Sequence, residues 1–242
     1  MPRLSKKDLE PFDSFWEAST YSQFNIREFA SAQEKYSGKE KLDSLLEYPD
    51  EPSKLTLPKT VANRLAKRRK SDRQFSKKTM SKRELGIVLS SFYAINGLEH
   101  RTYPSAGASY ALEVFCVANN VTGFSNKVLY YNPDIHAVNV IGKAPSWKEM
   151  SEKVNVSITG TPQCLIILVL LSNRLTSKYL ERGGRFALIE AGAAMQQLVI
   201  QIAGSKKLMG VAAGGLIDDY WANLLGLSKS EAKIALGYLC GK

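Results

Sequence analysis

The strongest constraint on the fold is a long apolar segment between Arg185 and Ala203. It contains no proline, a single acidic residue at Glu190, and no basic residue after Arg185 until Lys206. A helix of this composition is apolar on nearly every side, and helices of that kind are buried. At about 1.5 Å per residue, it would cross roughly the diameter of a small domain. The segment therefore predicts a central core helix, preceded by a charged Gly-Gly turn, that a second subunit could share.

The composition and length suit one large domain with an extension. The chain has 242 residues, of which 44% are hydrophobic, enough to build a proper core. Residues 1–38 carry scattered aromatic side chains, which predict short helices packed onto the body. Residues 39–58 are charged and interrupted by prolines, as is typical of a linker. We therefore predict an N-terminal extension and linker over residues 1–58 and the main domain over residues 59–242.

Three observations favour a cytoplasmic chain. The basic start of the sequence is followed by no apolar region, so no secretory signal is expected. The longest uninterrupted apolar run, residues 165–171, is far shorter than the ~20 residues of a membrane span, so no membrane partner is expected. Cys116, Cys164 and Cys240 are odd in number and widely separated, which predicts buried thiols in a reducing compartment.

The charge is concentrated in one segment. Eleven basic residues and one acidic residue lie between Lys59 and Arg83, and they account for the whole net charge of +10. This segment could be a solvated basic surface, a phosphate site or a contact for an acidic partner. Nucleic acid is a weaker interpretation, because no nucleic-acid-binding motif accompanies the segment. The only histidines, His100 and His136, lie in no ligand-like cluster, so neither a metal site nor a Ser-His-Asp hydrolase is expected.

The remaining patterns predict a mixture of helices and strands. Ser81-x-x-Glu84 and Ser228-x-x-Glu231 are capping boxes that open helices, and Asn96-Gly97 would end the first of these. The other predicted helices cover residues 147–154 and 218–225, and a loop covers 172–184. The predicted strands cover residues 112–118, 128–132, 137–141, 164–171, 209–213 and 235–239. Without a regular strand-helix alternation or a dinucleotide-binding glycine motif, the class is α+β.

Three short motifs carry candidate chemistry. Arg69, Ser71 and Arg73 place two guanidinium groups and a hydroxyl within reach of one site, and such a set suits a phosphomonoester. The loop 101–110 is rich in small residues, so its backbone can approach a planar ligand closely. Gly214-Gly215 breaks the predicted strand 209–213.

Together these motifs resemble those of the nitroreductase-like flavoproteins, over about residues 67–241. The likeness implies a central, mostly antiparallel sheet flanked by helices, in an intertwined homodimer that binds FMN at the subunit interface. It also implies the cofactor-binding residues, which lie in the basic motif, the small-residue loop and the strand-end turn. These residues are Arg69, Ser71, Arg73, Pro104, Ser105, Gly107, Gly214 and Gly215.

Within that superfamily, two longer segments resemble the azoline dehydrogenases: residues 101–115, and residues 178–192 followed by Gln196. These FMN enzymes oxidise thiazolines and oxazolines in ribosomally made peptides after a cyclodehydratase has formed the rings. The resemblance implies cyclodehydratase subunits and a precursor peptide as partners, and Gln196 as a further flavin contact. It also implies that Lys178 and Tyr179 are catalytic, the lysine as a base and the tyrosine orienting or relaying the proton.

Several alternatives stay open at this point. The enzyme could instead be an NAD(P)H-dependent nitroreductase or flavin reductase, or the fold could serve as a non-catalytic scaffold of a modification complex. Glu190 could be a core carboxylate paired with an arginine such as Arg185, and Gln196 could bind a neighbouring helix instead of flavin. Lys242 is the one candidate for a C-terminal phosphate contact.

Overall fold

The structure is a computed structural model that describes residues 11–22, 24–27, 31, 64–95, 100–228 and 232–242. The helix end predicted at Asn96-Gly97 was wrong, because the helix that begins after Ser81 ends at Leu89, a single 3-10 turn covers Ser90–Phe92, and Ala94 pairs with Arg101 in a β-bridge. The predicted linker over residues 39–58, its boundary with the main domain and the capping residue Glu231 lie outside the described residues. The domain boundary therefore stays a prediction.

A six-stranded sheet organises the described chain. Its strands are β1 (Leu112–Ala118), β2 (Lys127–Asn132), β3 (Ala137–Lys143), β5 (Cys164–Leu170), β6 (Met209–Ala213) and β8 (Lys233–Gly241). They lie in the order β3-β2-β1-β5-β8-β6, and every neighbouring pair in this order is antiparallel. Two short strands, β4 (Val154–Asn155) and β7 (Gly215–Leu216), form a separate antiparallel pair. The α+β class and the mostly antiparallel sheet are confirmed.

Helices cover both faces of this sheet. They are α1 (Pro11–Ser19), α2 (Arg64–Arg68), α3 (Lys82–Leu89), α4 (Trp147–Ser151), α5 (Asn173–Tyr179), α6 (Arg182–Gly204) and α7 (Asp218–Leu224). Every side chain of β5 is buried, and successive side chains point to opposite faces. Ile166 thus packs in the core with α3 and α6, whereas Ile167 packs in the core with α4 and α7.

Most of the elements expected from the local patterns are present. The capping box of α3 is formed, since the Ser81 hydroxyl accepts from Glu84 N at 3.2 Å and Glu84 Oε2 accepts from Ser81 N at 2.8 Å. The hairpin of β2 and β3 and the strands β1, β5, β6 and β8 are confirmed. The helix expected over residues 147–154 ends at Ser151, because residues 154–155 pair with β7 instead.

The prediction of a loop over residues 172–184 was wrong. It contains the helix α5, and Gly183 and Gly184 lie in the first turn of α6 instead of in a turn before it. Both glycines serve close packing. A Cβ on Gly183 would lie 2.4 Å from the carbonyl oxygen of Leu175, and a Cβ on Gly184 would lie 2.3 Å from the Phe12 ring.

The central helix α6 is only partly buried in the protomer. Ala187, Ala191 and Ala194 face the sheet, but Leu188 is 39% exposed and Ile189 is 66% exposed. The expectation of burial on nearly every side is therefore wrong for a single chain. Among the described helices α6 alone has the length and composition of a membrane span, a property it shares with core helices of soluble proteins. Its packing on the sheet identifies it as a core helix.

The N-terminal helix α1 docks on the body, as the aromatic residues of the extension predicted. Phe12 is buried, and its backbone N–H donates to Glu181 Oε2 at 2.8 Å. Asp13 forms a 2.7 Å ion pair with Lys233, whose side chain is only 3% exposed. A buried ammonium group requires such a partner. The docked position of α1 is therefore set by packing and charge together.

The cysteines are three buried free thiols on adjacent strands, as expected. Cys164 of β5 lies directly opposite Cys240 of β8, and Cys116 lies on the neighbouring strand β1. Hydrogen bonding to Cys164, together with burial, raises the pKa of Cys116 and of Cys240. Cys116 and Cys240 are therefore packing groups, because the thiolate is the reactive form. The hydrogen bonds from Cys116 and Cys240 shift the pKa of Cys164 in the opposite direction, downwards.

Candidate active site

The predicted catalytic pair lies directly against the predicted small-residue loop. Lys178 Nζ donates a 3.3 Å hydrogen bond to the carbonyl oxygen of Gly107. A Cβ on Gly107 would lie 2.4 Å from both Lys178 Nζ and the Tyr179 hydroxyl. Lys178 is exposed, and the half-buried Tyr179 ring packs edge-on against Phe186 with centroids 5.1 Å apart. The structure thus places an amine, a phenol and an exposed backbone turn together.

Glu190 holds this loop on the central helix. Its Oε2 accepts from the Ser105 hydroxyl at 2.6 Å, and its Oε1 accepts from Leu112 N at 3.1 Å. Burial raises the pKa of the Glu190 carboxyl, and these hydrogen bonds oppose that rise. Glu190 is a core carboxylate, as one alternative held. The arginine whose charge acts on it is Arg101, and the exposed Arg185 makes no hydrogen bond or ion pair with it.

The hydroxyl of Ser105 is committed to the protein. Besides donating to Glu190, it accepts a 2.9 Å hydrogen bond from Tyr110 N. The donor and one of the two acceptor positions of the Ser105 hydroxyl are therefore already used within the protein. Gly107, Ala108 and Tyr110 all have positive φ angles of 55°, 52° and 43°, and two of these three residues are not glycine. Such conformations persist only where surrounding contacts impose them.

Two arginines that the sequence analysis missed supply those contacts. Arg101 Nη1 donates to the Tyr103 hydroxyl at 3.0 Å and to the carbonyl oxygen of Leu112 at 3.1 Å. Arg174 of α5 donates to the carbonyl oxygen of Tyr110 at 2.8 Å and forms a 2.6 Å ion pair with Glu113. Arg101 lies in the small-residue loop 101–110 that the sequence singled out. Nothing in the sequence around Arg174 indicated that it would contact Tyr110 and Glu113. Together they join the loop to β1 and α5.

The basic motif lies at the other end of the central helix. Asp72 N donates to the carbonyl oxygen of Gly210 in β6 at 2.9 Å, and Thr159 N donates to the carbonyl oxygen of Arg73 at 2.7 Å. The side chains of Arg69, Ser71 and Arg73 are exposed and make no hydrogen bond or ion pair with the described residues. Two guanidinium groups and a hydroxyl are thus held on a fixed backbone and are available to an anion.

The other expected contacts are scattered. Gly214 is exposed, with no atom within 4 Å of where its Cβ would lie, and Gly215 pairs with Asn155. Gln196 is exposed on α6. Lys242 is occupied, because its Nζ lies 2.8 Å from Glu84 Oε2 and donates to the carbonyl oxygen of Thr79 at 3.0 Å.

Within one chain the small-residue loop with the catalytic pair and the basic motif do not meet. The loop 104–107 contacts α6 at Glu190, whereas α2, which leads into the basic motif, contacts it at Gly204, where a Cβ would lie 3.8 Å from Leu65. At 1.5 Å per residue, these positions on the helix are about 20 Å apart. Each end of α6 therefore carries one part of the predicted site. Within the described part of the chain, no group of three or more His, Cys, Asp or Glu side chains is placed to hold a metal ion.

Asp218 connects the strand-end turn to the N-terminal segment, and its titration is testable. Asp218 Oδ2 accepts from Tyr21 N at 2.9 Å, and Asp218 N donates to the carbonyl oxygen of Tyr21 at 3.1 Å. Burial raises the pKa of Asp218 from 3.8 to about 6, against the hydrogen bond from Tyr21. The unfolded chain therefore loses this proton first, and the free energy of unfolding should fall by on the order of 1–2 kcal/mol between about pH 4 and pH 6.

The variant Asp218→Asn keeps an oxygen that can accept from Tyr21 N but has no titrating proton. We expect it to remove this part of the pH dependence, measured by urea unfolding across the same range. Asp134→Asn, at an exposed aspartate that is not among the charges acting on Asp218, is the matched control and should keep the wild-type slope. Equal slopes for wild type and Asp218→Asn would contradict the assignment.

A family model and a similar protein both relate this sequence to nitroreductases. The sequence model of the Nitroreductase family matches residues 66–242. A Methanocaldococcus jannaschii protein described as a nitroreductase is 29% identical over 157 residues, which is 63% of this chain and 77% of that protein.

Solved structures share the fold at low identity. A chain of the E. coli microcin synthetase McbBCD complex, solved with truncated pro-MccB17 bound, has a TM-score of 0.71 and 23% identity, covering 88% of this chain and 81% of that chain. A Ralstonia eutropha protein described as a nitroreductase has a TM-score of 0.62 and 18% identity, covering 84% and 97%. A Desulfovibrio desulfuricans relative, solved in complex with FMN, has a TM-score of 0.50 and 16% identity, covering 75% and 87%.

Proposed function

The chain belongs to the Nitroreductase family, and from this premise we propose that it is an FMN-dependent dehydrogenase that oxidises thiazolines or oxazolines in a ribosomally made peptide to the aromatic rings. One observation carries the proposal beyond the family. Lys178 and Tyr179, the pair implied by the azoline dehydrogenase resemblance, both converge on Gly107 of the loop assigned to flavin.

The residues present fit FMN. The exposed side chains of Arg69, Ser71 and Arg73 match the donor set that a phosphomonoester requires. Gly107 and Gly214 present bare backbone, which can approach a flat ring closely. Gln196 offers an exposed amide on α6. Bound FMN supplies a two-electron acceptor for the oxidation.

The site is proposed to be completed by a second copy of the chain. The separation of about 20 Å along α6 leaves each protomer with two incomplete parts of one site. The exposed apolar side chains Leu188 and Ile189, beside the exposed Gly192, give α6 a face suited to another subunit. A homodimer that pairs these faces can bring the loop of one protomer to the basic motif of its partner.

The proposed roles of Lys178 and Tyr179 follow from the two hydrogens that the azoline ring must lose. Aromatising a thiazoline or oxazoline removes one proton and one hydride. Lys178 Nζ is proposed as the group that takes the carbon-bound proton, and the Tyr179 hydroxyl as the group that orients or relays it. The Gly107 carbonyl holds the lysine in place. The packing of Tyr179 on Phe186 limits the rotation of the phenol.

Replacing Gly107 by alanine should disturb both catalytic groups at once. The new Cβ would lie 2.4 Å from Lys178 Nζ and from the Tyr179 hydroxyl, so both must move. We expect azoline oxidation at saturating FMN to fall about tenfold or more, because small displacements of catalytic groups are costly. Gly123→Ala is the matched control, since Gly123 also has a positive φ but no atom within 4 Å of its Cβ position. Equal activities in the two variants would contradict this geometry.

We further propose that the enzyme works in the cytoplasm beside cyclodehydratase subunits and acts on a precursor peptide. The E. coli neighbour of this fold belongs to a synthetase complex with bound pro-peptide, which supports the proposal. The basic residues of the segment 64–83 offer charge complementarity to an acidic surface of the partner or leader. Complex formation should then weaken with salt, and assembly that is independent of salt would exclude this contact.

The visible absorption spectrum of the purified protein, followed by identification of the released chromophore, is the first test. Release of FMN supports the cofactor, and turnover of a thiazoline peptide in air then tests the reaction. A colourless protein that takes up no FMN on titration would instead favour the scaffold function.

A second candidate function is an NAD(P)H-dependent nitroreductase or flavin reductase. It is favoured by the description of the Methanocaldococcus relative. Rapid bleaching of bound flavin by NADH or NADPH, without azoline turnover, would select it. Slow bleaching with azoline turnover would select the dehydrogenase.

A further inference from the structure

A groove with a volume of about 490 Å³ lies between α1 and α5, on the side of α5 away from the proposed catalytic pair. Its walls include Phe12 and Asp13 of α1, Asn173, Thr176 and Ser177 of α5, and Leu180. The volume is in the range of ligand sites, about 300–1,000 Å³. One wall residue of the groove, Leu180, directly follows Lys178 and Tyr179 in the chain.

The groove is already formed, because its two walls are bonded to each other. Phe12 N of α1 donates to Glu181 Oε2 at 2.8 Å, immediately after α5. Asp13 is fixed by its 2.7 Å ion pair with Lys233. Both acidic side chains of the groove therefore have partners, and neither is an unpaired charge that would select a cation. Preformed walls lower the entropic cost of binding.

The free groups of the groove suit a peptide backbone. The side chains of Asn173 and Thr176 make no hydrogen bond with the described residues, so an amide and a hydroxyl are available to N–H and C=O groups of a bound chain. Ser177 is different, because its hydroxyl donates to the carbonyl oxygen of Asn173 at 2.6 Å. Polar groups that alternate with apolar surface are typical of sites for extended peptides.

Leu180 marks the end of the groove nearest the catalytic pair. It is 78% exposed, and its backbone angles are φ 50° and ψ −144°. A leucine in the left-handed region is uncommon, and residues held in such conformations cluster at functional sites. This backbone turn directs an apolar side chain outwards where α5 ends.

We infer that this groove binds the part of the peptide substrate that flanks the azoline ring, with Leu180 as an apolar contact. The inference rests on the proposed function. Lys178 and Tyr179 lie on the opposite side of α5 from the groove, and a helix is about 10 Å across. A peptide in extended conformation advances about 3.3 Å per residue, so the groove would hold residues about three to four positions from the ring.

The test compares two probes on the FMN-loaded enzyme. One is a synthetic peptide with about four residues on each side of a single thiazoline, the length needed to reach the groove. The other is an N-acetylated thiazoline amide without flanking residues. Leu180→Ala removes the apolar contact, and Thr176→Trp fills the groove. Ile135→Ala and Thr122→Trp are matched controls at exposed positions remote from the groove.

We expect Leu180→Ala and Thr176→Trp each to raise KM for the peptide by about tenfold, with little change in kcat. Their kcat/KM for the short amide should equal that of wild type, as should both values in the control variants. Equal effects on the two probes, or no effect on either, would overturn the inference. A change in oligomeric state on size-exclusion chromatography would also overturn it, because the groove would then belong to a subunit contact.

Failure of the proposed function would look different. The wild-type enzyme would hold FMN and oxidise neither probe. The groove is then judged by fluorescence anisotropy of the labelled peptide, which reports binding without turnover. Weaker binding by the two groove variants alone supports the site, and binding unchanged by both variants overturns it.

Discussion

Replacing Lys178 by alanine is expected to lower azoline oxidation by roughly 100- to 10,000-fold while FMN stays bound, the range typical of lost general acid-base catalysis. The lysine contacts the backbone of the Gly107 turn and not the basic motif, so the proposed phosphate contacts stay intact. Tyr179→Phe removes only the hydroxyl and keeps the ring on Phe186. It should lower the rate without loss of FMN.

The measurement is kcat/KM for a thiazoline peptide, with bound FMN determined by absorbance in the same samples. Lys148→Ala and Tyr220→Phe are matched controls, because both residues lie on helices of the opposite sheet face. Both controls should keep wild-type rates. Full activity in Lys178→Ala and Tyr179→Phe would remove these two residues from the proposed mechanism.

Replacing Arg69 by alanine should instead weaken FMN binding, by about 10- to 100-fold. This range corresponds to the ~1.5–3 kcal/mol of a hydrogen bond to a charged group. The Arg69 guanidinium is exposed and has no hydrogen bond or ion pair with the described residues, so its loss leaves no buried group unpaired. Arg73→Ala should act in the same direction, and the double variant should bind FMN most weakly.

Titration of the apoprotein with FMN, followed by flavin fluorescence, measures this effect. Arg83→Ala is the matched control, since Arg83 is an exposed arginine of the same basic segment but belongs to α3. Affinity that is unchanged in Arg69→Ala and Arg73→Ala would exclude the motif as the phosphate site.

The two variants together test whether each site draws on two protomers. In a mixed dimer of Arg69→Ala and Lys178→Ala, a site shared between protomers leaves one of the two sites with both intact residues. At an FMN concentration that fills the wild-type enzyme but not Arg69→Ala, activity should then return to about half of the wild-type value, as expected for one intact site in two. Sites contained within single protomers would give no recovery, because each would lack one residue.

Local sequence patterns determined much of this protein. The capping box of α3, the hairpin of β2 and β3, the buried strand β5 and the long helix α6 depend on residues a few positions apart. Apolar periodicity and capping act at that range, so they can be read without the fold. The motif Arg69-x-Ser71-x-Arg73 was also visible as a donor set, because its chemistry is carried by neighbouring residues.

Tertiary structure alone decided how these parts meet. The hydrogen bond between Lys178 and Gly107 joins residues 71 positions apart, and that between Ser105 and Glu190 joins residues 85 positions apart. The glycines at 183 and 184 read locally as a turn, yet they lie in a helix because Leu175 and Phe12 pack against them. Such contacts depend on how the sheet stacks distant segments, and no periodicity in the chain encodes that arrangement. The sequence by itself determined which groups are available, and the packing of α5, α6 and the sheet decided which of them share a site.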